Sequence, residues 1–168
     1  MNAVILDRRR VLAGSGALIV SFSLTEAFAQ APAAPAAAPP PNLPGSLKGA
    51  PFLDSWIRID ADGSITAFTG KAELGQGAKT ALQQIAAEQL DVPFAALKLV
   101  TADTSRTANE GYTSGSQSMQ NSGTAILNAA AQVRAILVAE AARRLDLPVE
   151  NLRTEDGAVV SSDGKRLR

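Results

Sequence analysis

The 168-residue chain contains no cysteine and no histidine. Without cysteine no disulfide forms in any compartment, and iron–sulfur clusters held by thiolates are excluded on this chain. Structural zinc draws its ligands from Cys and His, so that class of site goes too. The Ser-His-Asp triad and the Cys-His pair both need histidine, and neither is available. Redox chemistry here must use a cofactor held by hydrogen bonds, with other centres carried on other chains. Net charge is missing as well, because 16 basic residues balance 16 acidic ones. Removing residues 1–29 takes Arg8, Arg9 and Arg10 against Asp7 and Glu26, which leaves the remainder near −1. That balance gives no electrostatic reason to expect nucleic acid or an acidic membrane as partner.

The first thirty residues read as an address. Asp7-Arg8-Arg9-Arg10-Val11-Leu12 carries paired arginines followed by apolar residues. Val11 to Leu24 is apolar but diluted by Gly14, Ser15, Gly16, Ser21 and Ser23, and Ala27-Phe28-Ala29 supplies small residues for cleavage. A charged start, apolar middle and A-x-A end make a secretory signal. The arginine pair and the weak apolar middle point to the twin-arginine route and a periplasmic destination. An uncut membrane anchor and an ordinary secretory signal are the alternatives; the stretch is short and glycine-rich for a membrane span. Ala31 to Pro44 is almost all Ala and Pro, and Pro32, Pro35, Pro39, Pro40 and Pro41 keep it extended. Composition thus divides the chain into a signal (1–29), a linker (30–52) and a domain (53–168) of about 120 residues, enough for a modest core.

Within the domain, periodicity predicts an α+β fold: short hairpins and a mixed β-sheet packed with two main helices. Trp56-Ile57-Arg58-Ile59 and Ser64 to Phe68 flank Asp60-Ala61-Asp62-Gly63, a hairpin pattern. Lys79 to Leu90 places Leu82, Ile85, Ala86 and Leu90 on one helical face. Leu97 to Val100 reads as a strand and Thr101 to Gly123 as a polar loop. Thr124 to Leu145 is an Ala-rich helix with Ile126, Ala130, Val133 and Leu137 as its stripe. Leu152 to Val160 gives a second hairpin around Glu155-Asp156-Gly157. One pattern occurs twice: Leu90-Asp91-Val92-Pro93 before Leu97, and Leu145-Asp146-Leu147-Pro148 before Leu152. Each reads as a helix end, a proline stop and a return to strand.

Two loops carry candidate chemistry. Gly70-Lys71-Ala72-Glu73-Leu74-Gly75-Gln76-Gly77 lies between a strand and a helix. Its glycines admit a bulky ligand to the backbone, and the amides of Gly77, Ala78 and Lys79 offer a seat for a phosphate. Gln76 brings a donor and an acceptor in one amide. A phosphate loop of the ATPase kind needs Gly followed directly by Lys, but Ala78 intervenes before Lys79. A dinucleotide fingerprint needs a third glycine where Thr80 stands. Spacing alone leaves a plain glycine turn as the alternative. Lys71, Glu73 and Lys79 read as a solvated set of charges. The second loop, Gly111-Tyr112-Thr113-Ser114-Gly115-Ser116-Gln117-Ser118, is rich in hydroxyls; it closes over a polar ligand or merely caps the next helix.

Gly70 to Gly77, then Thr80 and Gln83 to Leu90, resembles the large subunit of molybdenum hydroxylases, the xanthine dehydrogenase and aldehyde oxidoreductase superfamily. Ala102-Asp103-Thr104, the Gly111 to Ser118 loop and the Ala-rich helix continue the likeness, which runs from about Leu53 onward. The pattern is most similar to bacterial proteins of the isoquinoline 1-oxidoreductase β and nicotinate dehydrogenase B kind. The resemblance implies a molybdenum-pterin cofactor, as a cytosine dinucleotide, in contact with Gly75, Gln76, Gly77, Gly115, Ser116 and Ser118. It implies that Gln76 approaches an oxo ligand of the molybdenum, and that the metal takes no protein ligand on this chain. It further implies a separate small subunit with [2Fe-2S] clusters, a cytochrome as candidate electron acceptor, and oxidation of an aldehyde or N-heterocycle with water as oxygen source. Large subunits of this family are several times longer, and their base glutamate lies far towards the C-terminus. Glu73, Glu88 and Glu110 do not match it. The expectation is a truncated or split subunit that is inactive without the remainder of the large subunit, with no catalytic residue of its own. The rival readings are a small secreted phosphate- or nucleotide-binding module and a non-catalytic interaction module.

Overall fold

The computed structural model describes residues 42–167. The export signal read in residues 1–29 and the Ala/Pro-rich residues 30–41 lie outside the described residues.

Strands β1 (Ile57–Ile59) and β2 (Ile65–Thr69) form the expected antiparallel hairpin, with Ile57 opposite Ala67 and Ile59 opposite Ile65. The turn is built by its acids. Gly63 donates its amide to the Asp60 carbonyl at 2.9 Å, and Ser64 donates its amide to Asp62 Oδ1 at 2.9 Å. Gly63 takes a φ of 83°, which an L side chain rarely adopts. After β2 the chain runs through helix α1 (Ala78–Leu90) and returns as β3 (Leu97–Thr101), parallel to β2 from Ile65↔Leu97 to Thr69↔Thr101. Helix α2 (Thr124–Leu145) packs against α1, and β4 (Leu152–Glu155), β5 (Ala158–Ser161) and β6 (Arg166–Leu167) make a second, antiparallel sheet. The fold is α+β, with one mixed sheet, one antiparallel sheet and two main helices, as periodicity predicts.

The repeated Leu-Asp-x-Pro pattern is a repeated connection. Asp91 and Asp146 both sit in the left-handed region, at φ 55° and 53°. Val92 donates its amide to Ala87 O at 3.0 Å and Leu147 donates to Ala142 O at 3.1 Å, so each helix closes with the same six-residue bond. Aspartate tolerates this conformation better than most side chains. The proline that follows opens a single 3₁₀ turn, Phe94–Ala96 or Val149–Asn151, and the next residue starts a strand.

Two boundaries differ from those that composition suggests. The linker does not extend to Phe52: a 3₁₀ turn at Gly45–Lys48 seats Leu47 in the core at 2 % exposure, with Leu43 and Ala50 packed beside it. A Cβ on Gly45 would lie 2.5 Å from Asn121 O, so two backbones meet there without a side chain between them. The Trp56 indole, itself fully buried, donates to Ala50 O at 2.8 Å and ties the segment down. Proline-rich composition stops being a guide where apolar residues return at Leu43. Second, the polar loop after β3 ends before Gly123, because Ser118–Gly123 forms a π-helical turn that runs directly into α2. With Met119 its one large apolar residue, it gives no apolar period to read.

The core joins Leu82, Ala86 and Leu90 of α1 to Ala125, Ile126, Ala129 and Ala130 of α2, over Trp56, Ala67, Leu97 and Leu99. Along α2 the predicted stripe holds at Ile126 and Ala130, and Val133 packs against its edge. It leaves the core at Leu137, which is 44 % exposed. Alanines at the helix contact leave no room for growth. Ala129→Leu is therefore expected to destabilise the domain by about 1–3 kcal/mol through overpacking. Ile136→Ala on the exposed face should stay within about 0.5 kcal/mol. Urea denaturation of the two variants checks the contrast.

Candidate functional site

Both candidate loops leave the carboxyl ends of neighbouring strands: Gly70–Gly77 follows β2, and the segment from Ala102 to Gln117 follows β3. Because β2 and β3 are parallel, these ends lie side by side. Open α/β sheets bind ligands at this edge.

The stems of the two loops are bonded to each other. Lys71 Nζ donates to the carbonyl oxygens of Glu110 at 2.7 Å and Tyr112 at 2.8 Å. The Ala72 amide donates to Thr113 Oγ1 at 2.8 Å. The Glu110 carboxylate accepts from Thr69 Oγ1 at 2.6 Å, from the Gly70 amide at 2.7 Å, and from the Ser122 hydroxyl at the start of the helical segment. Lys71 is only 2 % exposed. The expectation of a solvated charge fails for this residue, because its ammonium replaces water with two carbonyls from a segment about forty residues away in the chain. A Cβ on Gly70 would run into the Ala108 carbonyl, so this glycine is required by close approach.

Beyond the stem, the first loop organises itself around Glu73. Its carboxylate accepts from the amides of Gly75 at 2.7 Å, Gly77 at 3.0 Å and Lys79 at 2.8 Å. These bonds, led by that from Lys79, hold the carboxyl below its ordinary range. The phosphate seat expected at the N-terminus of α1 is thus taken by the chain's own carboxylate. The same dipole and amides that would bind a phosphate bind Glu73. Gln76 braces the loop from the other side: its Oε1 accepts the Leu74 amide at 2.5 Å and its Nε2 donates to Ala72 O at 2.9 Å. Gly75 and Gly77 adopt φ of 92° and 78°, and a Cβ on either would meet nothing within 4 Å. Positive φ is what these glycines supply, and the surface around them is open.

The second loop is also exposed, with Tyr112 at 91 %. Gly115 and Ser116 are consecutive left-handed residues, at φ 61° and 57°. A non-glycine residue held there is uncommon. No side chain caps the helical segment at Gln117 or Gly123, so the Ser/Asn capping alternative is not what this loop does. Gly75, Gln76, Gly77, Gly115 and Ser116 are all exposed and Ser118 is half-buried, on two loops whose stems are fastened together. The periodic pattern missed Lys71 and Glu110. The local signal was a lysine two residues after a strand end, and its partners are far away in sequence.

Among the described residues no group of His, Cys, Asp and Glu could hold a metal ion. The groups that the two loops expose include backbone amides, hydroxyls and one carboxamide. The chain belongs to the molybdopterin cofactor-binding domain family, whose model matches residues 15–167. Among its relatives is nicotinate dehydrogenase B of Pseudomonas putida, 36 % identical over 166 residues, covering 96 % of this chain and 13 % of the relative. The β chain of isoquinoline 1-oxidoreductase from Brevundimonas diminuta is 31 % identical over 172 residues, covering 98 % of this chain and 21 % of the relative. Among solved structures, quinoline 2-oxidoreductase from Pseudomonas putida 86 aligns with a TM-score of 0.54 at 33 % identity, over 63 % of this chain and 13 % of that one. CO dehydrogenase from Oligotropha carboxidovorans aligns with a TM-score of 0.58 at 28 % identity, over 64 % of this chain and 13 % of that one. The chain spans less than a quarter of the length of these relatives. The family is one of oxidoreductases. The donor set fits a pterin that carries its own metal, and it asks nothing of Cys or His.

The Glu73 bonds make the loop pH-dependent in a defined direction. A carboxyl depressed on folding contributes order above its unfolded value, near 4.5, and loses it as pH falls through the lower folded value. The Gly77 and Lys79 amide resonances should therefore hold steady from neutral pH to about 4.5 and shift together only below it. Glu73→Gln should abolish that acid step.

Proposed function

We propose that this chain is a segment of the molybdopterin-binding large subunit of a molybdenum hydroxylase that oxidises an N-heterocycle or an aldehyde with water as oxygen source. The observation that carries this is Gln76 at the crest of an exposed loop, flanked by left-handed glycines and held only by the loop's own Ala72 carbonyl and Leu74 amide. A carboxamide so placed is ordered before any ligand arrives, and exchanging two local bonds for bonds to a cofactor costs little reorganisation. Three relatives are named for nicotinate, isoquinoline and quinoline, all N-heterocycles, which favours that substrate class over an aldehyde. When bound, the cofactor supplies the two-electron redox chemistry. The chain's residues contribute orientation: Gln76 and the Gly75 and Gly77 backbones from one loop, Gly115, Ser116 and Ser118 from the other. The cytosine dinucleotide form of the cofactor belongs to the same reading, with its phosphates away from the N-terminus of α1 because Glu73 fills that position.

The reading includes the rest of a large subunit, a small subunit carrying [2Fe-2S] clusters, which this cysteine-free chain cannot hold, and a cytochrome as electron acceptor. It places the protein in the periplasm, on the strength of Arg8-Arg9 and Ala27-Phe28-Ala29. Replacing both Arg8 and Arg9 with Lys is expected to stop export, read as accumulation of uncleaved chain in the cytoplasm. Unchanged export would remove the twin-arginine route.

In the assembled, cofactor-loaded enzyme, Gln76→Ala should lower turnover per bound molybdenum by about 10²-fold, the usual cost of one preorganised donor. Gln76→Glu keeps the shape but exchanges the donor for a negative charge, and should cost more. Assays with an N-heterocycle and an aldehyde measure both the loss and the substrate class. Full activity and full metal content in both variants would reduce Gln76 to a turn residue.

A further inference from the structure

Resting on the cofactor reading above, we propose that Lys71 and Glu110 are positioning residues that set the two cofactor loops in register as one unit. Each loop is too exposed to be held by packing: Leu74 is 73 % and Tyr112 91 % exposed. What fixes them lies beneath, at their stems. One carboxylate, Glu110, takes hydrogen bonds from the end of β2 through Thr69, from the start of the first loop through Gly70, and from the helical segment behind the second loop through Ser122. Thr69 and Ser122 are buried at 1 % and 0 % exposure, so these hydroxyls have no water to fall back on. The Lys71 ammonium crosses the other way, to the carbonyls of Glu110 and Tyr112.

A domain that needed only stability would be served as well by apolar residues here, because burying an ammonium carries a heavy desolvation cost. The ammonium instead fixes distances. Its two acceptors, at 2.7 and 2.8 Å, are carbonyls two residues apart at the entrance to the second loop, while its own backbone opens the first. Moving either loop by one residue breaks both bonds. Ala72 N to Thr113 Oγ1 adds a third tie on the same stems. Gln76 and Ser116 are thereby presented on a common base, although each sits on a loop of its own. Neither Lys71 nor Glu110 needs to touch the cofactor to affect it.

Nitrogen-15 relaxation on the full chain tests the coupling. Lys71→Met leaves the carbonyls of Glu110 and Tyr112 bare. The order parameters of residues 72–77 and 111–117 should then fall together towards about 0.6, while α1 from Leu82 to Ala87 stays near about 0.85. Thr113→Val, which removes only the third tie and leaves the buried ammonium satisfied, should move both loops in the same direction by less, and it serves if the lysine variant does not fold. A response confined to one loop, or no response in either, overturns the proposal. A second readout separates this proposal from the cofactor reading, namely molybdenum per chain in the assembled enzyme. Loss in both Lys71→Met and Gln76→Ala supports the positioning role. Loss in Gln76→Ala with full content in Lys71→Met overturns the positioning role and leaves the cofactor reading standing. Full content in both overturns the positioning role, and the turnover of Gln76→Ala per bound molybdenum then decides the cofactor reading separately.

Discussion

Two parallel strands cannot be joined by a tight turn, because the chain that leaves the end of the first must travel back before it can enter the second. In this domain the return is α1, and the requirement shapes everything near the site. It places the Gly70–Gly77 loop at the end of β2 and the segment after Thr101 at the end of β3, on the same edge. It gives α1 a buried face, which brings α2 in to cover it with alanines. The hairpin β1–β2 and the antiparallel sheet β4–β6 are attached around this unit. Gly157 of the second sheet donates its amide to Asp91 O at 2.7 Å, at the left-handed residue that ends α1. The helix terminus thus serves as a joint between the two sheets.

Charge near the site is turned inward. Lys71 spends its ammonium on carbonyls below the loops, Glu110 spends its carboxylate on hydroxyls and an amide, and Glu73 closes the helix N-terminus. Amide, hydroxyl and carboxamide groups of Gly75 to Gly77, Gly115 and Ser116 are exposed on the two loops, beside the exposed Glu73 and Lys79. Inward bonding of this kind leaves the first loop ordered by its own hydrogen bonds. It also explains why motif rules for phosphate fail here in structure as well as in spacing: the seat exists, and it is filled from within.

Local chemistry made much of the fold legible. Asp-Gly turns between β-favouring runs fixed both hairpins, and a 3.6-residue period marked α1 and α2, because turn and helix preferences act within a few residues. The Leu-Asp-x-Pro repeat was readable as a helix stop, though not as a left-handed aspartate. Pairing was less accessible: nothing between Ile65 and Thr101 says that β2 and β3 run parallel until α1 is seen to span them. At the site, Gln76 and the glycines stood out by type, while Lys71 and Glu73 looked like ordinary surface charges. Lysine is rarely buried, and the acceptors that make it so lie 39 and 41 residues away. Glu73 did carry a local sign, an acid shortly before a helix start. The π-helical turn at Ser118–Gly123 had none, since a single apolar residue, Met119, among polar residues and a glycine leaves no period to detect.

The chain has one tryptophan and one tyrosine, and they stand at opposite extremes of exposure, Trp56 at 0 % and Tyr112 at 91 %. The molecule therefore carries two intrinsic optical probes with separate jobs. Indole emission reports the integrity of the core, because water reaches Trp56 only on unfolding. The phenol sits out on the second loop, where quenchers, iodinating reagents and bound chromophores can reach it. Loop events and global unfolding can be followed in one sample without attaching any label.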